Sequence, residues 1–142
     1  MLEELKQRVW QVAEDSMAEG LVHERGGNFS IYDHDSGYVV ITPSGVHRRV
    51  LKPEYIAVVD LDGKLIEGKM KPSSETPLHT GVYREMPELG GIAHTHSTYA
   101  TCFALLNKEI PAILPPSLWF GGSIPVAPFA MPGSAELATT AL

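Results

Sequence analysis

Asn28-Phe29-Ser30-Ile31-Tyr32-Asp33-His34-Asp35-Ser36-Gly37-Tyr38-Val39-Val40-Ile41-Thr42 is the stretch that decides the fold class. Phe29 and Ile31 alternate with polar neighbours, which is the signature of a strand with one buried face. Asp33 to Gly37 is dense in turn formers, and Tyr38 to Thr42 returns as a second β-branched run. The reading is a hairpin, and hence an antiparallel sheet. Upstream, Leu2, Leu5, Val9, Val12, Ala13 and Met17 recur at helical spacing, with Gly20 as a stop. Downstream, Ile56 to Asp60 and Lys64 to Glu67 flank the turn Leu61-Asp62-Gly63. Lys71-Pro72-Ser73-Ser74 reads as a loop opening a helix, with Ser73 or Ser74 as cap and Glu75 to Met86 as body.

Gly91 to His96 then reads as a strand, and Ser97 to Leu106 as a helix with Ala100, Phe103 and Ala104 turned inward. Cys102 falls in that apolar helix and reads as core. Ile113 and Ile124 to Ala127 are further short β candidates, and Gly133-Ser134-Ala135-Glu136 starts a last helix. Hairpin strands with interspersed helices predict one α/β/α three-layer domain over residues 1–142, with a largely antiparallel central sheet.

The bulk numbers narrow the partners. The chain has 142 residues, 44% of them hydrophobic and 20% charged, an ordinary composition for a globular domain. A formal net charge of −6 leaves no basic face for non-specific nucleic-acid binding. The single cysteine excludes an internal disulfide and a Cys-rich zinc site, and fits a reducing compartment. Residues 1–20 lack the apolar core of a signal peptide. Pro111, Pro115, Pro116, Pro125, Pro128 and Pro132 interrupt the most apolar stretch and forbid a continuous membrane helix there. The expectation is a cytoplasmic protein with no membrane partner.

Three segments could carry chemistry. His94-Thr95-His96 places two imidazoles on one face of a strand. It reads either as a metal clamp suited to Zn²⁺ or as two polar residues bonded to backbone at a strand end. Pro72-Ser73-Ser74-Glu75 offers hydroxyls and free N–H groups to an anion, with Glu75 as ligand or base. It also fits an ordinary helix cap with a first-turn acid. Gly27-Asn28 and Thr42-Pro43-Ser44-Gly45 put donors at strand ends where a phosphate could approach, or are plain turn chemistry. His79, four residues after Glu75, reads as a metal partner or as a packing histidine. Trp119 lines a cleft or fills a core.

The order of these pieces, Gly27-Asn28-Phe29-Ser30, Thr42-Pro43-Ser44-Gly45, Lys71-Pro72-Ser73-Ser74-Glu75 and His94-Thr95-His96-Ser97, resembles the class II aldolase/adducin family. The resemblance runs from the first helix to Leu142. It implies an α/β/α fold, a homotetramer, and a divalent metal, most often Zn²⁺. By position it implies His94, His96 and Glu75 as metal ligands, with Glu75 also the catalytic base. Asn28, Ser44, Gly45, Ser73 and Ser74 match positions that hold the substrate phosphate. The implied reaction is cleavage of a small ketose phosphate through a metal-stabilised enediolate, giving a dihydroxyacetone-phosphate-type product and an aldehyde. A sugar-phosphate 4-epimerase or dehydratase on the same scaffold is the alternative, and a non-catalytic adducin-like module a further one.

The sequence departs from the family pattern in places. A third histidine ligand, in an Asn-His-Gly-like segment, has no counterpart after His96, so the expectation is a domain lacking the C-terminal part of the family fold. Pro115 stands where some aldolases have tyrosine. No acid lies between Glu109 and Glu136, and Glu75 stands where the epimerases have Asp, which favours the aldolase. The Thr76-Pro77 and His94-Thr95-His96-Ser97 wording is epimerase-like.

Overall fold

The hairpin forms as β1 (Asn28–Asp33) and β2 (Tyr38–Ile41), antiparallel, with Asp33 opposite Tyr38 and Ser30 opposite Ile41. The Asp33 carboxylate accepts from the Ser36 backbone N–H and hydroxyl, which closes the turn. This computed structural model describes residues 2–142, apart from the side chains of Leu118 and Phe120. β3 (Ala57–Val59) and β4 (Leu65–Glu67) extend the sheet beyond β2, and β5 (Gly91–His94) pairs with β1. The order is β4-β3-β2-β1-β5, antiparallel at every junction.

Alternation sorts the core into two layers. Phe29, Val40 and Val58 pack on one face against Val9 and Ala13 of α1 (Glu3–Ala18). Val39, Ile41, Ala57 and Val59 pack on the other face with Tyr83 of α2 (Thr76–Glu85). α4 (Ala135–Ala141) packs on α2. Helices on both faces of an antiparallel sheet make the three-layer α/β/α fold that the sequence predicts. Full burial of each such aliphatic or aromatic side chain contributes roughly 1.5–3 kcal/mol.

Four local expectations need correction. β5 ends at His94, because β1 begins opposite it at Asn28 and offers no partner further on; the His96 N–H donates instead to the Leu21 carbonyl at 3.0 Å. α2 starts at Thr76, and Glu75 occupies its N-cap position without a side-chain cap bond. α3 (Thr98–Leu105) buries none of its residues, so Ala100, Phe103, Ala104 and Cys102 do not form core. The helix is apolar but has no layer of the sheet beneath it. Ile113 and Ile124 to Ala127 form no strand; Ile110 and Ile124 make one isolated bridge, since the prolines around them remove ladder donors. Trp119 is 85% exposed and fills no core. No helix among the described residues is long and apolar enough to cross a membrane.

Candidate functional site

Two loops are stitched together beside the β1–β5 end of the sheet. The Ser44 N–H donates to the Lys71 carbonyl at 2.9 Å, and the Ser73 N–H to the Thr42 carbonyl at 3.0 Å. Pro43 and Pro72 form the bridge between these bonds. This seam brings Ser44 and Gly45 next to Ser73 and Ser74, although the segments are separated by the whole β3–β4 hairpin. Gly45 holds φ +71°, a left-handed turn that suits glycine. The Ser73 hydroxyl accepts from the Glu75 N–H at 3.2 Å, while the Thr76 hydroxyl donates to the Ser73 carbonyl at 2.7 Å. Those bonds occupy the helix start, so the Glu75 side chain is not used as a cap.

His94 closes β5 opposite Asn28, and His96 follows in the loop. Their rings nevertheless lie side by side, with centroids 5.2 Å apart. Burial holds the His94 imidazole below the ordinary histidine range; His96 pushes the same way and Glu75 pushes back. Two buried atoms here have no hydrogen-bond partner among the described residues, Glu75 Oε2 and His94 Nδ1.

The candidates Asn28, Ser44, Gly45, Ser73, Ser74, Glu75, His94 and His96 all line one cleft of about 170 Å³. A larger groove of about 690 Å³ lies between α1 and the β1–β5 edge, but it contains none of these residues and is not the chemical site. Neutral imidazole nitrogens and a carboxylate are donors that suit a divalent cation such as zinc. The orphaned Glu75 and His94 atoms fit that donor set. Among the described residues, however, no three His, Cys, Asp or Glu side chains converge into a complete metal shell. The fit is therefore to part of a coordination sphere.

His79 lies outside the cleft. It is fully buried, its Nδ1 is 2.6 Å from the Ser30 hydroxyl, and its Nε2 is 2.5 Å from Asn28 Oδ1. Both ring nitrogens are committed, so it packs and does not ligate. Burial, helped by His94, drives its pKa down to about 3, and the ring is neutral.

Sequence reasoning missed three residues. Arg25 lines the cleft from the exposed side. Arg48, only 1% exposed, donates to the Gly26 carbonyl at 3.2 Å and to the Gly27 carbonyl, which holds the glycine loop from behind. A Cβ on Gly27 would stand 2.5 Å from Val22 Cγ1 and 2.7 Å from the His94 carbonyl, so that loop admits only glycine. Tyr83, bonded to Ser30, is the third. The readable signal was the four-residue spacing of His79 and Tyr83, which places both on the face that α2 buries.

Fold and cleft together define an α/β/α domain built around an imidazole, carboxylate and hydroxyl pocket. The family profile described as class II aldolase and adducin N-terminal domain matches residues 7–142, and the chain belongs to that family. It is 45% identical over 112 residues to an L-ribulose-5-phosphate 4-epimerase, UlaF, of Salmonella paratyphi B, covering 79% of this chain and 49% of that protein. Among solved structures, it is similar to an L-fuculose 1-phosphate aldolase, with a TM-score of 0.87 and 33% identity over 96% of this chain and 65% of that one. An L-fuculose-1-phosphate aldolase from Thermus thermophilus aligns with a TM-score of 0.79 and 29% identity, covering 95% of this chain and 67% of that one. The chain thus spans about half the length of the curated relatives it matches.

Proposed function

We infer that this domain supports metal-dependent aldol cleavage of a small ketose phosphate, giving a dihydroxyacetone-phosphate-type product and an aldehyde. The carrying observation is the partnerless, buried Glu75 Oε2 in the same cleft as His94, His96 and the serine hydroxyls. Glu75, His94 and His96 would hold the divalent cation, by donor type Zn²⁺. When bound, the cation supplies Lewis-acid stabilisation of negative charge on the ketose oxygens.

The chain's own residues do the rest. Asn28, Ser44, Gly45, Ser73 and Ser74 grip the phosphate, which fixes the reacting carbons by remote binding energy. Glu75 moves a proton at Oε2 between substrate carbon and cleft. The acidic chain still suits an anion here, because local hydroxyls and N–H groups do the binding.

A 4-epimerase is the second reading, favoured by the 45% identity to a protein of that name. Bond cleavage that reverses before the fragments leave would use the same residues and return an epimer. By resemblance to the family, the full protein would work as a cytoplasmic homotetramer.

The test is metal content by plasma mass spectrometry, followed by product analysis on L-fuculose 1-phosphate and L-ribulose 5-phosphate. About one zinc per chain and two fragments support the aldolase. An inverted product with no fragments transfers the assignment to the epimerase. A chain that takes up no metal and converts neither sugar overturns both, and leaves the adducin-like interaction module.

A further inference from the structure

A buried chain of polar side chains runs from α2 through β1 into the cleft, and none of its inner members touches the cleft itself. It starts at the Tyr83 hydroxyl, 2.7 Å from Ser30 Oγ. It continues from Ser30 Oγ to His79 Nδ1 at 2.6 Å, and from His79 Nε2 to Asn28 Oδ1 at 2.5 Å. Tyr83 is 1% exposed, Ser30 3%, His79 0% and Asn28 7%. Only Asn28, the last member, lines the cleft.

Each bond in such a chain has a direction, and the members share one. Burial keeps Tyr83 protonated, and its O–H also donates to the Ser30 backbone carbonyl at 3.2 Å. The phenol end therefore admits either polarity, and the Asn28 end decides it: Asn28 Oδ1, which can only accept, faces His79 Nε2. With its proton on Nε2, the neutral His79 ring accepts at Nδ1, so the single O–H of Ser30 donates there. A neutral imidazole that accepts at Nδ1 carries its proton at Nε2 and donates there. Asn28 Oδ1 accepts that proton, and its –NH₂ is left for the cleft. In the opposite polarity, Ser30 donates to Tyr83, His79 carries its proton on Nδ1, and Asn28 turns an acceptor oxygen toward the cleft. An oxygen there repels an anion, whereas the –NH₂ binds one.

We propose that Ser30 and His79 form a polarity relay that fixes the Asn28 carboxamide with its –NH₂ toward the cleft, making His79 the positioning residue that selects an anionic, phosphate-bearing ligand. The proposal rests on the reading of this cleft as a phosphate site. It explains why two polar groups and a histidine occupy a core that valine and leucine would fill at no cost in hydrogen bonding.

Two measurements on the full chain test it. The first is the ring-nitrogen spectrum of ¹⁵N-histidine-labelled protein, with His79→Gln used to assign the signal. The expected result is the Nε2–H tautomer, unchanged from pH 6 to 8; the Nδ1–H tautomer overturns the proposal.

The second is calorimetric titration with inorganic phosphate. Loss of a hydrogen bond to a charged ligand weakens binding by about 10-fold or more. His79→Met should show that loss, while His79→Gln, which retains an amide donor near the Nε2 position, should stay within about 3-fold of wild type. Ser73→Ala reports on the pocket independently of the relay. Binding weakened by Ser73→Ala but equal in wild type and a folded His79→Met overturns the relay alone. Absence of phosphate binding in the wild type overturns the pocket reading and the relay with it. Should His79→Met not fold, Ser30→Ala replaces it, with the same expected loss and the same overturning result.

Discussion

A chain in which position 79 cannot titrate should lose less stability in acid than the wild type. His79 has a folded-state pKa of about 3 against an ordinary value of 6.5, because burial excludes the charged ring. The sign follows from which state binds the proton. Above pH 6.5 both states are neutral at this position, and its contribution to stability is fully present. As pH falls below 6.5 the unfolded chain takes up a proton that the folded chain refuses, and stability falls with it. Each pH unit is worth about 1.4 kcal/mol, so the fall to pH 4 removes about 3 kcal/mol, and completion near pH 3 removes about 5 kcal/mol. That is a large part of the 5–15 kcal/mol typical of a domain. The assay is urea unfolding of metal-free protein, followed by circular dichroism between pH 7 and 4, on wild type and His79→Gln. Carboxylates titrate alike in both, so the difference between the two curves isolates His79. Parallel curves would refute the buried, neutral ring and the argument built on it.

Three other outcomes are expected. Gly81→Ala puts a Cβ 2.6 Å from Ala138 Cβ where α2 meets α4, and should cost about 1–3 kcal/mol by thermal melting; Gly90→Ala, with nothing within 4 Å, should stay within about 0.5 kcal/mol. Gly27→Ala meets both Val22 and the His94 carbonyl at φ +69°, and should lower the melting temperature together with phosphate affinity. His94→Ala and His96→Ala should each abolish stoichiometric metal in plasma mass spectrometry without unfolding the chain, since neither side chain belongs to the hydrophobic core.

Much of the fold was legible because its signals are local. The β1–β2 hairpin follows from alternation and a turn-forming pentapeptide, and α1 from its apolar spacing and terminal glycine. That β5 stops short of His96 was not legible, because a strand ends where its neighbour does, and the neighbour here starts 68 positions earlier, at Asn28. α3 misled for a related reason. Its apolar residues look like core, but core is made by a facing layer, and α3 faces none. Within the cleft, the His94-Thr95-His96 and Ser73-Ser74-Glu75 segments announce themselves as polar groups at element ends. Arg25, Arg48 and Tyr83 do not, because nothing in their own surroundings in sequence sets them apart from ordinary surface or core residues.

By itself, then, the sequence determined the antiparallel hairpins, the helices that flank them, and the imidazole, carboxylate and hydroxyl residues that come to line the cleft. These depend on side-chain alternation, turn stereochemistry and donor type, all of which act within a few residues. Only the tertiary structure decided that the 42–45 and 71–75 segments share one seam, that His94 and His96 stay adjacent after the strand ends, and that His79 supports Asn28 from behind. The His79–Asn28 bond joins residues 51 apart in sequence. Its existence depends on the register of β1 and the docking of α2 on the sheet, and cooperative packing of the whole domain sets both.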